Sequence, residues 1–205
     1  MTGKLRLVLA SGNAGKLREF SALLADFGWE IISQDELGVA EAEETGLSFV
    51  ENAILKARNA AAQTGLPALA DDSGIVVDVL HGQPGIYSAR FAGTPGDSAA
   101  NNAKLLTELE GIPTAQRTAR FHCCIVLVRD AADPVPLIAE ADWEGSILEQ
   151  PAGKQGFGYD PLFYVPTHDC SAAELNAAEK NRISHRGQAL QKLVELLDEK
   201  TGQGM

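Results

Sequence analysis

Several features that define large protein classes are scarce or absent in this sequence. Its 205 residues include three cysteines, and none of them stands in a C-x-x-C spacing, so neither a disulfide framework nor a zinc site is predicted. No apolar run approaches the ~20 residues of a membrane-spanning helix, which argues against an integral membrane protein. The apolar stretch near the start of the sequence is too short and too interrupted for a signal peptide, so we expect a cytoplasmic location.

Positive charge is also scarce. The 17 Lys and Arg residues stand against 28 Asp and Glu residues, which gives a formal net charge of −11. General nucleic-acid binding uses a basic surface, so we expect no nucleic-acid partner, and we expect no membrane partner either. A small anionic ligand remains compatible with this charge, because a local group of cations can override the overall field.

The remaining composition is that of a globular protein, with 45% hydrophobic and 22% charged residues. At ~150 residues per domain, the length predicts one domain or two small lobes. Short apolar runs alternate with helical three- and four-residue spacings, which predicts an α/β fold. Strands are predicted over residues 5–10, 29–33, 68–70, 75–80, 118–129 and 136–143, and helices over 15–27, 49–64, 98–109 and 184–200, with a short helix opening at a capping-box pattern in 171–174.

A glycine-containing segment, Ser11-Gly-Asn-Ala-Gly-Lys16, connects the first predicted strand to the first predicted helix. Such a turn offers backbone N–H groups and a helix N-terminus to a phosphate, and Lys16 adds a positive charge. It is not a Walker A loop, because Leu17 stands where Ser or Thr would hold magnesium. On its own the segment is equally compatible with an ordinary strand–helix turn.

Two pairs of carboxylates are candidates for chemistry. Glu43 and Glu44 lie in an acidic, irregular segment (residues 39–46, the acidic loop), and Asp71 and Asp72 are predicted to lie in a turn at a strand end. Adjacent carboxylates repel each other unless a cation is close. Mg²⁺ takes one or two carboxylates together with phosphate oxygens, and a carboxylate beside a water can accept its proton. A solvated loop and an Asx-capped turn are the alternatives.

The C-terminal half contains two further candidate segments. Phe157-Gly-Tyr-Asp160 places aromatic residues between glycines, as in a loop that stacks on a planar ring, although aromatics packed in the core are equally compatible. If Ser184 is an N-cap, His185 and Arg186 lie in the first turn of the last helix. Cations there face the positive end of the helix dipole, which suggests an anion or a hydrogen-bonding ligand nearby.

Other charged residues have simpler predicted roles. Lys56 and Arg58 lie on the predicted helix 49–64 and are expected to be solvated. Asp78 and Arg90 are either site residues or partners in a buried ion pair, and the sequence does not separate these two possibilities.

Taken together, these segments resemble one family, the inosine triphosphate pyrophosphatases that act on noncanonical purine nucleotides, and most closely its bacterial dITP/XTP pyrophosphatase branch. The matching blocks occur in the family's order and span nearly the whole chain. They are Ser11-Gly-Asn-Ala-Gly-Lys16, Glu43-Glu-Thr-Gly46, Phe49 with Glu51-Asn-Ala53, Lys56-Ala57, Ala70-Asp-Asp-Ser-Gly74, Pro84-Gly-Ile-Tyr-Ser-Ala-Arg90, Gly156-Phe-Gly-Tyr-Asp-Pro161 and Ile183-Ser-His-Arg-Gly187.

The resemblance implies an α/β fold with a long, bent, mixed sheet flanked by helices, in which residues 1–205 form a single domain of two lobes with a central cleft. It implies a homodimer and Mg²⁺ as the cofactor. The implied reaction is hydrolysis of dITP, ITP, XTP or dXTP to the monophosphate and pyrophosphate, which removes deaminated purines from the nucleotide pool.

The resemblance also implies residue roles. Asp72 would be the catalytic acid–base and a metal ligand. Glu43 is the first choice for the second metal carboxylate, with Glu44 as the alternative. Substrate-binding roles fall on Ser11, Gly12, Asn13, Ala14, Gly15, Lys16, Ser73, Phe157, Gly158, Tyr159, Asp160, Lys180, His185 and Arg186.

The preference for hypoxanthine and xanthine over adenine has a physical explanation. Hypoxanthine and xanthine present an oxygen acceptor where adenine presents an amine donor, so a pocket of fixed donors rejects adenine. We expect His185 or Arg186, together with backbone N–H groups, to supply these donors. A pyrophosphatase for modified pyrimidine nucleotides and a non-catalytic nucleotide sensor are the alternatives. The paired carboxylates argue against a sensor, and the absence of a Walker A or kinase glycine loop argues against a kinase.

Overall fold

Helices and strands alternate through the first part of the chain and strands dominate its middle. The computed structural model describes residues 6–24 and 29–202. None of the helices in those ranges is long and apolar enough to cross a membrane. The elements are β1 (Arg6–Leu9), α1 (Ala14–Leu24), β2 (Glu30–Ser33), α2 (Phe49–Thr64), β3 (Ala68–Val77), α3 (Ser98–Glu108), β4 (Thr118–Val128), β5 (Leu137–Ile147), β6 (Phe163–Val165), β7 (Cys170–Ser171), α4 (Ala177–Ile183) and α5 (His185–Gly202).

The strands form one mixed sheet with the order β2-β1-β3-β4-β5-β6-β7. Strand β1 pairs in parallel with both β2 and β3, while β6 pairs antiparallel with β5 and β7. Parallel neighbours need crossover connections, and α1 and α2 provide them between β1, β2 and β3. The predicted α/β fold with a mixed sheet flanked by helices is confirmed.

The chain forms two compact units. Within the described residues, the first unit contains the chain up to Asp72, residues 123–140, and the chain from Gly187 onward. The second unit contains residues 73–122 and 141–186. The single domain of two lobes stays a prediction.

In the first unit, α2 packs its small residues on the sheet. Ala53, Ala57 and Ala60 have no exposed surface and belong to one core cluster with Ala68 and Ala70 of β3. Alanine leaves little side chain between a helix and a sheet, so the backbone of α2 lies close to β3. This packing brings the polar residues of α2 to the continuation of the same strand.

The bounds of α2 agree with the prediction, because both ends are determined locally. The Ser48 hydroxyl accepts a hydrogen bond from the backbone N–H of Glu51, as an N-cap does. At the other end Gly65 adopts φ 66°, the left-handed conformation that glycine reaches without strain.

Aromatic rings fill the core of the second unit. Phe121 lies 4.6 Å from the ring centroid of Phe163 and 6.2 Å from that of Trp143. Cys123 and Cys124, which belong to the first unit, are buried thiols in β4. Burial also raises the pKa of the Cys124 thiol.

Two predicted elements are wrong. Residues 68–77 form one continuous strand, β3, and not two pieces around a turn at residues 71–74. The capping-box pattern does not open a helix, because Ser171 pairs with Tyr164 in the antiparallel sheet. Glu174 still accepts a hydrogen bond from the Ser171 backbone N–H at 2.8 Å, but helix α4 begins later and is capped by Asn176.

Strands β6 and β7 and helix α4 were not predicted, and the other differences concern element ends. Strand β5 continues to Ile147, beyond the predicted end at residue 143. Residues 25–28, the end of the first predicted helix, lie outside the described residues. Helix α5 begins at His185 directly after Ser184, so the predicted start of the last helix is confirmed.

Candidate functional site

The turn between β1 and α1 is held by its own side chains. Asn13 Oδ1 accepts hydrogen bonds from the backbone N–H groups of Gly15 at 2.8 Å and Lys16 at 3.2 Å. The Ser11 hydroxyl accepts from the backbone N–H of Asn13 at 3.2 Å. Gly12 has close neighbours, since a Cβ there would lie 2.9 Å from a carboxylate oxygen of Glu41. The N-terminus of α1 is therefore capped by Asn13.

Lys16 connects this turn to β3. Its Nζ lies 3.0 Å from Asp71 Oδ2, and the side chain of Asp71 has no exposed surface. The segment 11–16 is thus fixed beside the strand that carries both aspartates.

Asp72 is the next residue of β3 and lies on the face that packs against α2. Successive strand residues alternate between the faces of a sheet, so Asp72 shares the face of Ala68 and Ala70. Lys56 Nζ donates to Asp72 Oδ1 at 3.0 Å, and Asn52 Nδ2 donates to Asp72 Oδ2 at 3.3 Å. Both oxygens of the carboxylate therefore have partners from α2.

Lys56 also contacts the acidic loop. Its Nζ lies 3.1 Å from Glu44 Oε1, so one ammonium group joins Glu44 to Asp72. The prediction that Lys56 is solvated is wrong, since only 15% of its side chain is exposed. Its spacing from Asn52, four residues along the buried face of α2, was the available signal. Arg58 is exposed and donates to the carbonyl of Asp133 at 3.2 Å.

The two glutamates of the acidic loop have different surroundings. Glu43, the first choice for a metal ligand, is exposed, whereas Glu44 is half-buried and bonded to Lys56. The geometry therefore favours Glu44 over Glu43. Asn52 Oδ1 anchors the loop by accepting from the Gly46 backbone N–H at 2.8 Å.

Charge and burial shift the pKa values of Asp72 and Lys56. Burial raises the pKa of Asp72 above its usual range, although Lys56 and Lys16 oppose that shift. Burial by itself lowers the pKa of Lys56, but the carboxylates of Asp72, Asp71 and Glu44 outweigh it and raise the pKa. A carboxylate with a raised pKa is a stronger base, which suits it to accept a proton near neutral pH.

The donor set fits a Mg²⁺ ion. Asp72 and Glu44 present carboxylates that already share one cationic partner, Lys56. In the described part of the chain, no group of three or more His, Cys, Asp or Glu residues could hold a metal. Mg²⁺ commonly uses one or two carboxylates and completes its shell with water and phosphate oxygens. The residues that meet at Lys56 match that requirement.

In the second unit, the segment Phe157–Asp160 is fixed by a buried ion pair. Asp160 Oδ2 accepts from the Phe157 backbone N–H and from Lys180 Nζ, each at 2.7 Å. Lys180 Nζ lies 4.9 Å from the centroid of the Phe157 ring, and the Arg186 guanidinium carbon lies 5.9 Å from it. The structure thus brings together four of the predicted substrate-binding residues, Phe157, Asp160, Lys180 and Arg186.

Tyr159 and His185 are both buried, 5% exposed each. The Tyr159 hydroxyl donates to the Ser88 carbonyl at 2.8 Å, so its ring belongs to the aromatic core. The His185 ring stacks on Phe121, with centroids 4.8 Å apart and planes 10° apart, and lies 6.4 Å from Trp143. Of the two aromatic residues in the segment 157–160, Phe157 is the one whose ring adjoins the cations.

Other predicted residues have specific neighbours. Ser73 follows Asp72 in β3 and is half-buried. The carbonyl of Gly158 accepts from Asn102 Nδ2 at 3.0 Å, a contact that the sequence did not indicate. Asp78 pairs with Arg120 at 3.0 Å, and Arg90 instead lies over the Tyr87 ring at 5.2 Å.

The mixed α/β fold is the one expected of the nucleotide pyrophosphatases that the sequence resembles. The pattern of the Ham1 family matches residues 7–196. The chain belongs to the Ham1 family.

Relatives and solved structures support this assignment. The dITP/XTP pyrophosphatase of Thioalkalivibrio sulfidiphilus is 62% identical over 193 residues, which are 94% of this chain and 98% of that protein. The dITP/XTP pyrophosphatase of Escherichia coli O157:H7 is 58% identical over 192 residues, which are 94% of this chain and 98% of that protein. A solved HAM1 protein from Coxiella burnetii matches with a TM-score of 0.88 and 53% identity, covering 95% of this chain and 99% of that one.

Proposed function

We propose that this protein is a nucleoside triphosphate pyrophosphatase that hydrolyses dITP, ITP, XTP and dXTP to the monophosphate and pyrophosphate. The observation that carries the proposal is the buried Asp72 carboxylate, 3.0 Å from Lys56 Nζ and joined through it to Glu44. Relatives that are more than half identical over nearly the whole chain bear the name dITP/XTP pyrophosphatase. Removal of deaminated purines from the nucleotide pool is the biological role that follows.

Asp72 is the proposed catalytic base. Water adds to a phosphorus atom of the α–β anhydride, its proton passes to the Asp72 carboxylate, and the bond to the bridging oxygen breaks to release pyrophosphate. Asn52 and Lys56 hold the two carboxylate oxygens, so the base has a defined orientation. Its raised pKa increases its proton affinity relative to a solvated aspartate.

The phosphates are proposed to bind at the segment 11–16 and at Ser73. Lys16 supplies a charge close to β3, and the N-terminus of α1 supplies a favourable dipole. Asp72 and Glu44 would hold Mg²⁺, which when bound neutralises phosphate charge and orients the anhydride.

The purine base of the nucleotide is proposed to stack on Phe157, beside the cations Lys180 and Arg186. Gly158, Tyr159 and Asp160 shape this pocket through the loop backbone and the Asp160–Lys180 pair. His185 or Arg186 would donate to the 6-oxo group. We therefore expect His185→Ala to reduce the ratio of kcat/KM for dITP over dATP, with His185→Gln retaining part of the preference; an unchanged ratio in His185→Ala would remove His185 from this role.

Three further features belong to the proposal, the first from the family resemblance and the other two from the composition and charge of the sequence. They are a homodimer, a cytoplasmic location, and a function that involves neither nucleic acid nor membrane. Light scattering of the purified protein tests the first, and fractionation of the source cells tests the second.

The first test is pyrophosphate release from dITP, XTP, dATP, dGTP and dUTP, with and without Mg²⁺. Metal-dependent release from dITP and XTP, with little from the other three, is the expected result. Release from dUTP alone would keep the chemistry and contradict the proposed base pocket. Tight binding of dITP without any release would instead indicate a nucleotide sensor.

A further inference from the structure

Lys56 lies between the two carboxylates that the proposed function assigns to the metal. Its Nζ is 3.0 Å from Asp72 Oδ1 and 3.1 Å from Glu44 Oε1. A divalent cation ligated through Asp72 Oδ1 and Glu44 Oε1 would compete with this ammonium group for these oxygens. Metal entry therefore requires that Lys56 give up at least part of its present contacts.

We propose that Lys56 is a built-in counter-ion for the Asp72–Glu44 pair, and that a divalent metal binds tightly only when a nucleoside triphosphate gives Lys56 another acceptor. The inference rests on the proposed function, because it takes Asp72 and Glu44 as the metal carboxylates. It concerns the order and coupling of binding, which the proposed reaction leaves open.

The charges of the group support the coupling. Two ammonium groups, Lys16 and Lys56, lie against the carboxylates of Asp71, Asp72 and Glu44. A metal ion alone would displace a largely buried ammonium and leave it without an acceptor, which is unfavourable away from water. A triphosphate removes this obstacle, since its oxygens accept from a lysine and also ligate the metal.

The surrounding structure permits this exchange through the Lys56 side chain alone. Helix α2 is fixed by Ala53, Ala57 and Ala60, which have no exposed surface, whereas lysine carries its charge on a flexible four-carbon stem. When Lys56 leaves, Asn52 still donates to the other oxygen of Asp72. The Asp72 carboxylate therefore keeps its orientation while its cationic partner changes.

The test is equilibrium binding of Mn²⁺ to the full chain, with and without α,β-methylene dITP, which cannot release pyrophosphate. In the unaltered protein we expect the nucleotide to tighten Mn²⁺ binding about ten-fold or more. In Lys56→Gln, nucleotide-free Mn²⁺ affinity should rise about ten-fold and the coupling should shrink by a similar factor. Arg58→Gln is the matched control, because it removes a cation from the same helix whose guanidinium donates to the Asp133 carbonyl.

The outcomes separate the two proposals. Unchanged or weaker nucleotide-free Mn²⁺ binding in Lys56→Gln, while the unaltered protein binds metal and hydrolyses dITP, would overturn the counter-ion role and leave the proposed function intact. An unaltered protein that neither binds Mn²⁺ with the nucleotide nor hydrolyses dITP would overturn the proposed function and this inference with it.

A second measurement needs no variant. Acetylation of lysines in the unaltered protein, followed by mass spectrometry, reports how accessible each amine is. Saturating Mn²⁺ without nucleotide should increase the acetylation of Lys56, because the metal displaces its ammonium from Asp72 and Glu44. Acetylation of Lys56 that does not change on metal saturation would contradict the displacement.

Discussion

Asn52 donates its side-chain amide to the carboxylate of Asp72 at 3.3 Å, from a position with no exposed surface. The other end of the same amide accepts from the Gly46 backbone N–H at 2.8 Å. One buried side chain therefore joins the acidic loop to β3 and helps to set the distance between Glu44 and Asp72.

Replacing Asn52 by alanine should affect both stability and turnover. Asn52→Ala removes two hydrogen bonds and leaves buried polar groups without these partners, so we expect a loss of about 1–3 kcal/mol in the free energy of unfolding. Because Asp72 and the acidic loop lose their common anchor, kcat should fall as well. Urea unfolding and dITP hydrolysis measure the two effects.

Asn59 offers the control for this prediction. It lies on the same helix and donates to the Ala40 carbonyl at 2.7 Å, at the start of the acidic loop, where Gln63 still holds Ala40 by two hydrogen bonds. Asn59→Ala should cost about 1 kcal/mol and leave kcat unchanged. An Asn52→Ala protein with the kcat of Asn59→Ala would show that Asn52 does not position the site.

Asp72→Asn separates catalysis from nucleotide binding. The amide cannot accept the water proton, so turnover of dITP should fall by orders of magnitude while nucleotide binding remains. Near-normal turnover in this variant would transfer the catalytic role to Asp71 or to a glutamate of the acidic loop. Steady-state kinetics and calorimetric binding of α,β-methylene dITP distinguish these results.

The same variant has a predicted pH signature. Burial raises the pKa of Asp72 in the folded protein above the ordinary value of 3.8. The folded state therefore holds this proton more tightly than the unfolded state, and the contribution of Asp72 to stability is lost as pH rises through the folded pKa. In metal-free protein, the stability of Asp72→Asn relative to the unaltered chain should therefore increase as pH rises above about 4. A difference that stays constant across this range would contradict the raised pKa.

The elements that could be predicted are those determined by residues close together in the sequence. Helix α2 was predicted with its observed bounds because Ser48 and Gly65 end it through their own hydrogen bonding and conformation. Strand β3 was predicted as two pieces because an Asp-Asp-Ser-Gly segment favours a turn. Its continuity depends on Lys16 and Lys56, which pair with Asp71 and Asp72 from other elements.

The candidate site also contains residues that could be predicted from sequence and others that depend on the packing of distant segments. Asp72 and the segment 11–16 could be singled out from residue types and order. The choice between Glu43 and Glu44 could not, because it depends on which side chain the acidic loop turns toward Lys56. The burial of Lys56 itself follows from the packing of α2 on the sheet, which a single sequence does not determine.

The loop that carries Phe157 should be sensitive to a methyl group at one glycine and much less so at another. A Cβ at Gly156, which has φ 76°, would collide with the Asp160 carboxylate. Gly156→Ala should therefore displace Asp160, cost more than the ~1–2 kcal/mol of the left-handed conformation itself, and raise KM for dITP.

Gly158 is the matched position for the stability comparison. It adopts φ 62° and a Cβ there meets no atom within 4 Å, so Gly158→Ala should cost only about 1–2 kcal/mol. Equal losses of unfolding free energy in the two variants would show that the contact between Gly156 and Asp160 does not restrict the loop.

The buried pair of Lys180 and Asp160 should be destabilised more by removing its cation than by removing both charges. The side chains are 9% and 4% exposed and their charged atoms are 2.7 Å apart. Lys180→Met leaves the Asp160 carboxylate buried without its cation, which typically costs about 3–5 kcal/mol. In the double variant with Asp160→Asn, the amide oxygen can still accept from Phe157 and neither member of the pair is charged, so urea unfolding should show a smaller loss than in Lys180→Met alone. Additive losses in the double variant would mean that the two side chains act independently, and that Asp160 holds the Phe157 loop without help from Lys180.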